Sequence, residues 1–209
     1  MAPGLIRKRL TEKNGVTMSE EIKKEQQIQS IIHNTFKTAE VQIQRPGRMI
    51  VRLRSDLLPP FVSYLKNYLD FIHLVMISCV DWIEDNQFEL VYHLWSYEKR
   101  VHVMVKVRLD RKNPVMQTLI PFWRQAETYE REIHEMYGVH FEGHPNLGDL
   151  ILEDWDGLPP MRRDFDTRKF VSETFEWRKG REDKQDVRQT IAKQYGEKIP
   201  QFINGKDEE

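Results

Sequence analysis

The sequence predicts an α+β fold: a two-layer domain of α-β-β-α-β-β-β order with a mainly antiparallel sheet, followed by a helix and a long irregular C-terminal arm. Three observations predict it. Val101, Val103, Val105, Val107 and Leu109 alternate with His102, Met104, Lys106 and Arg108, the pattern of a strand with one buried and one wet face. Phe122, Ala126, Tyr129, Ile133, Met136 and Tyr137 recur at helical spacing as one apolar stripe. The connections between elements are short, which places the helices together on one face of the sheet.

In chain order, residues 1–18 are basic, aperiodic and broken by Pro3, Gly4 and Gly15, and read as a flexible extension. Met18-Ser-Glu-Glu resembles a second, more natural start, with Ser19 placed to cap a first helix over about 19–36. Val41 and Ile43 alternate with polar residues, Pro46-Gly47 marks a turn, and Met49, Val51 and Leu53 alternate again, giving two short strands. Pro59-Pro60 suits the first turn of a second helix over about 57–69, with Phe61, Leu65 and Leu69 on one face. Strands follow at about 71–82, 87–96 and 100–109, with Asp85-Asn86 and Glu98-Lys99 as their turns. Gly138 is placed to end the helix over 122–137. The core domain is therefore expected over 19–138 and an extended, partner-binding arm with a charged tail over 139–209. In that tail Val187, Ile191 and Tyr195 are the one amphipathic suggestion.

Composition excludes several functions. Lys+Arg total 32 and Asp+Glu 33, for a net charge of -1, without the basic excess of a nucleic-acid binder. Cys79 is the single cysteine, so this chain supplies neither a disulfide framework nor the thiolates of a cluster. It lies in the apolar run 71–80, which is too short to span a bilayer. No apolar stretch follows the charges of Arg7, Lys8 and Arg9, so no secretory signal is expected.

Chemistry-bearing patterns are mostly incomplete. No three glycines have dinucleotide-fingerprint spacing, and no phosphate-cradling loop is present. His134-Glu135 begins like a zinc-protease helix, but the second His would fall at position 138, which is Gly. His140 and His144, with Glu142 and Asp149 nearby, leave a loop metal site as an alternative. Glu127, Arg131 and Glu135 follow one another at intervals of four, so Arg131 can sit between two carboxylates as a surface salt-bridge row, or be locked to present the following loop.

Residues 130–151 resemble the signature of the complex I thirty-kilodalton subunit family. The matching positions are Glu130, Arg131, Glu132, Glu135, Met136, Tyr137, His144, Leu150 and Ile151; Gly148 departs, where the family usually has a basic residue or Pro. Leu158-Pro-Pro-Met-Arg-Arg-Asp-Phe165 resembles the family's second block, in a Pro159-Pro160 form closer to membrane-bound nickel–iron hydrogenase relatives. The resemblance implies a structural subunit in the hydrophilic arm of a membrane-bound respiratory oxidoreductase, with no catalytic, cofactor or metal residues of its own. Its partners would be a large catalytic subunit and a small iron–sulfur subunit. Clusters, and in the hydrogenase branch nickel–iron, would reside in those partners. The location implied is peripheral, on the cytoplasmic side of the membrane. Interface residues are expected among Glu130, Arg131, Glu132, Glu135, His144, Pro145, Trp155, Pro159, Pro160, Arg162, Arg163, Asp164 and Phe165, with Met161 and Trp177 as further apolar anchors. A free-standing adaptor and a small metalloenzyme using His140 and His144 are the alternatives.

Overall fold

A computed structural model describes residues 18–175, with side chains from Lys24 onward. The chain divides into two units, Met1–Phe165 and Asp166–Glu209. The expectations for residues 1–17, Trp177 and the stripe of Val187, Ile191 and Tyr195 lie outside the described residues.

In the first unit, helix α1 (Met18–Thr35) leads into the hairpin β1 (Glu40–Arg45) and β2 (Arg48–Leu53), then α2 (Leu58–Tyr68). Strands β3 (His73–Trp82), β4 (Gln87–Ser96) and β5 (Val101–Asp110) follow. A short strand β6 (Val115–Gln117), helix α3 (Ala126–Tyr137) and a second short strand β7 (His140–Glu142) complete the regular elements. The predicted α+β order holds.

The main sheet runs β1-β2-β5-β4-β3. Its hairpin contacts are antiparallel, but β2 and β5 pair in parallel. Helix α2 carries the chain from β2 to the far edge, and the β3–β4–β5 meander walks back to close against β2. Turn residues take the left-handed conformation where the meander reverses: Asn86 has φ 54° and Arg100 φ 55°.

Helices α1, α2 and α3 lie on one face. Val101, Val103, Val105, Val107 and Leu109 of β5 are buried there with Phe61 and Leu65 of α2, Ile28 and Ile32 of α1, and Ala126 and Ile133 of α3. Burying each large side chain stabilises the domain by about 1.5–3 kcal/mol. The core does not stop at residue 138: Val139 and Phe141 are 0% and 1% exposed. Phe141 belongs to β7, which pairs in parallel with β6. These three-residue strands are too short to leave a readable alternation.

Helix α3 starts four residues later than its apolar stripe suggests. Phe122 and Trp123 instead lie in a turn closed by amide bonds to the Leu119 carbonyl at 2.9 and 3.0 Å. The Trp123 indole then donates to the Ile72 carbonyl at 2.7 Å. In the second unit, a helix α4 (Thr167–Thr174) forms where no period was legible, capped by Asp166, which accepts from the Arg168 and Lys169 amides.

Phe61 joins the layers, fully buried and edge-on to Phe36 at 5.0 Å between ring centres. Phe61→Ala is expected to lower unfolding free energy by about 3–5 kcal/mol, measured by urea titration of the purified chain.

Candidate interface built on helix α3

Helix α3 presents one acid, Glu135, and one base, Arg131, to the segment that follows it. Gly138 ends the helix with φ 76°, its amide bonded to the His134 carbonyl at 2.8 Å. The chain then turns back through β7 and runs irregularly over 143–165. Such a segment has no ladder to satisfy its backbone groups, so other partners must.

Glu135 supplies one set. Its carboxylate accepts from the amides of Leu150 at 2.8 Å, Ile151 at 3.1 Å and Leu152 at 3.1 Å. Arg131 supplies the other, its Nε donating to the Gly148 carbonyl at 2.7 Å and its guanidinium also bonding the Asp149 carbonyl. Arg131 forms no ion pair with Glu127 or Glu135 among the described residues. The salt-bridge row is thus replaced by a clamp on the loop. At Gly148 a Cβ would stand 3.0 Å from the Asn146 side-chain oxygen, and Gly148 donates to that same oxygen.

Glu130 faces inward at 0% exposure. It accepts from the Thr118 hydroxyl at 2.5 Å and the Leu119 amide at 2.7 Å, fixing the approach to the helix. His144 Nδ1 accepts from the Asn146 amide at 3.1 Å, while Nε2 lies 2.9 Å from the Glu127 carbonyl. With Nδ1 accepting, Nε2 carries the proton and donates to that carbonyl. Both nitrogens of His144 are therefore engaged. Among the described residues no group of three or more His, Cys, Asp or Glu is placed to hold a metal ion.

The second block docks on the same helix. Arg162 donates to the Tyr137 carbonyl at 2.7 Å, and its guanidinium lies 5.2 Å from the centre of the Phe88 ring. A Cβ at Gly138 would meet Arg162 at 2.6 Å and Pro159 at 3.3 Å, so glycine serves both the helix end and this close approach. The Met161 amide bonds the Met136 carbonyl at 3.1 Å. Buried Asp81 grips Arg111 through both oxygens, at 2.9 and 3.1 Å, and accepts from the Arg163 amide at 2.9 Å. Arg111 continues to Asp164 at 2.6 Å, and Arg163 pairs with Glu84 at 2.6 Å. The bond from Arg111 holds the Asp164 carboxyl below the usual range.

The remaining predicted positions divide by exposure. Trp155 turns its indole N–H to the carbonyls of Gly157 and Leu158, and its ring lies 5.7 Å from Phe165. Pro159 and Pro160 are half-buried, whereas Glu132 and Pro145 are exposed. Ile151 is 61% exposed, Leu158 40% and Met161 54%. Met161 overhangs a crevice of about 210 Å³ between β3 and α3. Spacing gave no sign of Asp81, Glu84 and Arg111, which lie far from the second block in sequence.

An α+β domain with a second irregular layer held by its own charged helix is the class that fold and geometry define. The family described as the respiratory-chain NADH dehydrogenase 30 Kd subunit matches residues 51–171, more than half of the chain, and the protein belongs to that family. A subunit of the F(420)H(2) dehydrogenase of Methanosarcina mazei is 36% identical over 129 residues, 61% of this chain and 82% of that one. A subunit of the NADH-quinone oxidoreductase of Moorella thermoacetica is 37% identical over 111 residues, 53% of this chain and 75% of that one. A chain in the structure of the membrane-bound sulfane sulfur reductase, an archaeal respiratory membrane complex, superposes with a TM-score of 0.68 at 35% identity, covering 73% of this chain and 91% of that chain.

Two predictions separate the acids. Desolvation pushes the Glu135 carboxyl up, but the three amides and Arg131 outweigh it and hold the group below its ordinary 4.5. Its contribution is present above pH 4.5 and is lost as the pH falls through the lowered folded value. Glu135→Gln should flatten that acid loss in urea titrations and reduce hydrogen-exchange protection at residues 150–152 by about tenfold, the scale of ~1.4 kcal/mol. For Glu130, burial pushes the carboxyl above 4.5, outweighing the bonds from Leu119 and Thr118. Its stabilisation is full below pH 4.5 and declines as pH rises through the raised value. Glu130→Gln should therefore match or exceed the wild type in urea at pH 7, while Glu130→Ala should lose about 2–3 kcal/mol by leaving Leu119 and Thr118 unpaired.

Proposed function

We propose that this chain is a non-catalytic structural subunit in the hydrophilic arm of a complex I-like, membrane-bound respiratory oxidoreductase, docked on the large catalytic subunit beside the small iron–sulfur subunit. The observation that carries this reading is the clamp: α3 uses its charges to fix the 143–165 segment while Ile151, Leu158 and Met161 stay exposed. An ordered apolar surface of this kind loses little conformational entropy on binding, which favours a permanent contact.

Family membership and the relatives' names, which describe them as subunits of respiratory oxidoreductases, support placement in a respiratory complex. The likeness to a chain of an archaeal respiratory membrane complex supports association with a membrane complex, and in this reading the chain is peripheral, on the cytoplasmic side, and held there by its partners. No helix among the described residues is long and apolar enough to cross a membrane. In this reading iron–sulfur clusters, and nickel–iron in hydrogenase-type complexes, belong to the partners. Electron transfer coupled to ion translocation belongs to the whole assembly.

Affinity purification of the tagged chain from its native membranes tests the reading, with a large oxidoreductase subunit and an iron–sulfur subunit expected in constant ratio. The double variant Ile151→Glu, Met161→Glu should cut their recovery at least about tenfold, as for truncated hot-spot residues, with an unchanged thermal melt of the isolated chain. Full recovery with the double variant would remove the arm as the docking surface.

A further inference from the structure

The sheet face opposite the helices carries an ordered charge pattern. Strand register lines its residues into rows that cross all five strands. The first row is Arg45, Arg48, His102, Trp95 and His73, each the cross-strand partner of the next. The second is Gln42, Ile50, Met104, His93 and Met76. Neither row contains an Asp or Glu. Acids enter only further along, as Glu40 opposite Arg52 and Glu89 opposite Arg108.

Elsewhere on this face Lys106 bonds Glu89 at 2.6 Å and Arg108 bonds Asp85 at 3.1 Å, while Arg52 lies opposite Glu40. In the first row Arg45 and Arg48 stand directly opposite one another, a pairing that repels. Neither makes an ion pair with any described residue. The adjoining turn adds Glu98, Lys99 and Arg100, again a net positive group. A chain with a net charge of -1 thus gathers, at one end of one face, two arginines with no ion pair among the described residues; Glu25, the carboxylate at their turn, is buried and accepts from the Gly47 amide at 2.6 Å.

The rings around these arginines form a contiguous cluster, tilted or edge-on to one another. His93 and His102 are 5.2 Å apart, Trp95 and His102 6.4 Å, Trp95 and Tyr97 6.3 Å, and His73 and Tyr97 5.7 Å. Tyr97 is 61% exposed. Beside them Ile50, Val91 and Met104 form a small apolar cluster of their own. Arginine set among Trp and Tyr beside apolar side chains is the composition of a protein-binding hot spot.

We propose that this end of the open sheet face is the docking surface for an acidic segment of a neighbouring subunit of the same complex, a proposal that rests on the subunit reading above. Arg45 and Arg48 take the partner's carboxylates, while Trp95 and Tyr97 supply the apolar contact. Two arginines beside a cluster of tilted aromatic rings also fit such a segment better than a lipid surface, which is bound by larger basic clusters. Burial, with Arg48 nearby, depresses His102 and His93; His102 and Lys106 add to the effect on His93. The arginines therefore carry the charge of the unbound face.

The test uses the full chain in its native complex, with Trp95 replaced by p-benzoylphenylalanine. Irradiation is expected to join it to a peptide of another subunit in which Asp and Glu outnumber Lys and Arg. The pair Arg45→Glu, Arg48→Glu should lower the amount of chain retained in the complex by about tenfold, and Arg45→Gln, Arg48→Gln by less, as expected for reversal against neutralisation of interface charges. Should the reversed pair unfold, judged by circular dichroism, the Gln pair and the photo-adduct decide. An adduct to lipid or to a basic peptide, no intermolecular adduct, or wild-type retention of a folded reversed pair would overturn the proposal while leaving the subunit reading in place. A wild-type chain that purifies with no oxidoreductase subunit would overturn both.

Discussion

Irregular backbone laid over a domain leaves amides and carbonyls without ladder partners, and meeting them is the constraint on which this structure turns. Glu135 accepts three successive amides and Arg131 takes two successive carbonyls of the same loop. Both side chains project from one helix, one turn apart. A single rigid element therefore sets the loop's path. Glu130, on the same helix, anchors that element to Thr118 and Leu119. Glu130, Arg131 and Glu135 of the signature thus hold the backbone in place.

A second network ties the far end of the segment to the sheet. Asp81, near the end of edge strand β3, is 6% exposed and would be costly to leave unpaired. Arg111 and the Arg163 amide satisfy it, and Arg111 extends the chain of charges to Asp164. The rings and guanidinium groups reinforce this, with Phe88 facing both Arg111 and Arg162 at 5.5 and 5.2 Å. Residues 143–165 are in this way fastened at both ends and belong physically to the domain, although their composition reads as a free arm.

The fold was legible where periodicity is long. Ten-residue strands such as β4 and β5 show their alternation, and Gly138 announced the end of α3. The parallel β2–β5 contact was not legible, because alternation reports which face is buried and not which strand is the neighbour. The candidate site was legible as positions but not as contacts. Spacing along a helix reveals only neighbours three or four residues away, so Arg131 reads as a partner of Glu127 and Glu135 when its true partners lie 17 and 18 residues on. Arg162 reads as outward-facing for the same reason, yet it stacks on Phe88, while Arg163 does face outward and pairs there with Glu84. Pro159 likewise packs against the glycine that ends the helix, a contact 21 residues apart that spacing does not reveal.

Internal use of the signature charges changes where a partner must find its grip. Glu130, Arg131, Glu135, Arg162 and Asp164 are already engaged within the chain, and recruiting them would release backbone groups they now satisfy. Outward on this side stand three large apolar side chains, Ile151, Leu158 and Met161, among exposed acids such as Glu132, Glu153 and Asp156. Charge without an ion pair lies instead on the opposite face of the sheet, where Arg45 and Arg48 confront each other. The two surfaces differ in chemistry because the domain has divided the tasks between them. One helix spends its ions on order and leaves hydrophobic contact for assembly, while the open sheet keeps two arginines that form no ion pair among the described residues. Charge that a fold tolerates unpaired, at a cost of cross-strand repulsion, is best explained by a neighbour that relieves it.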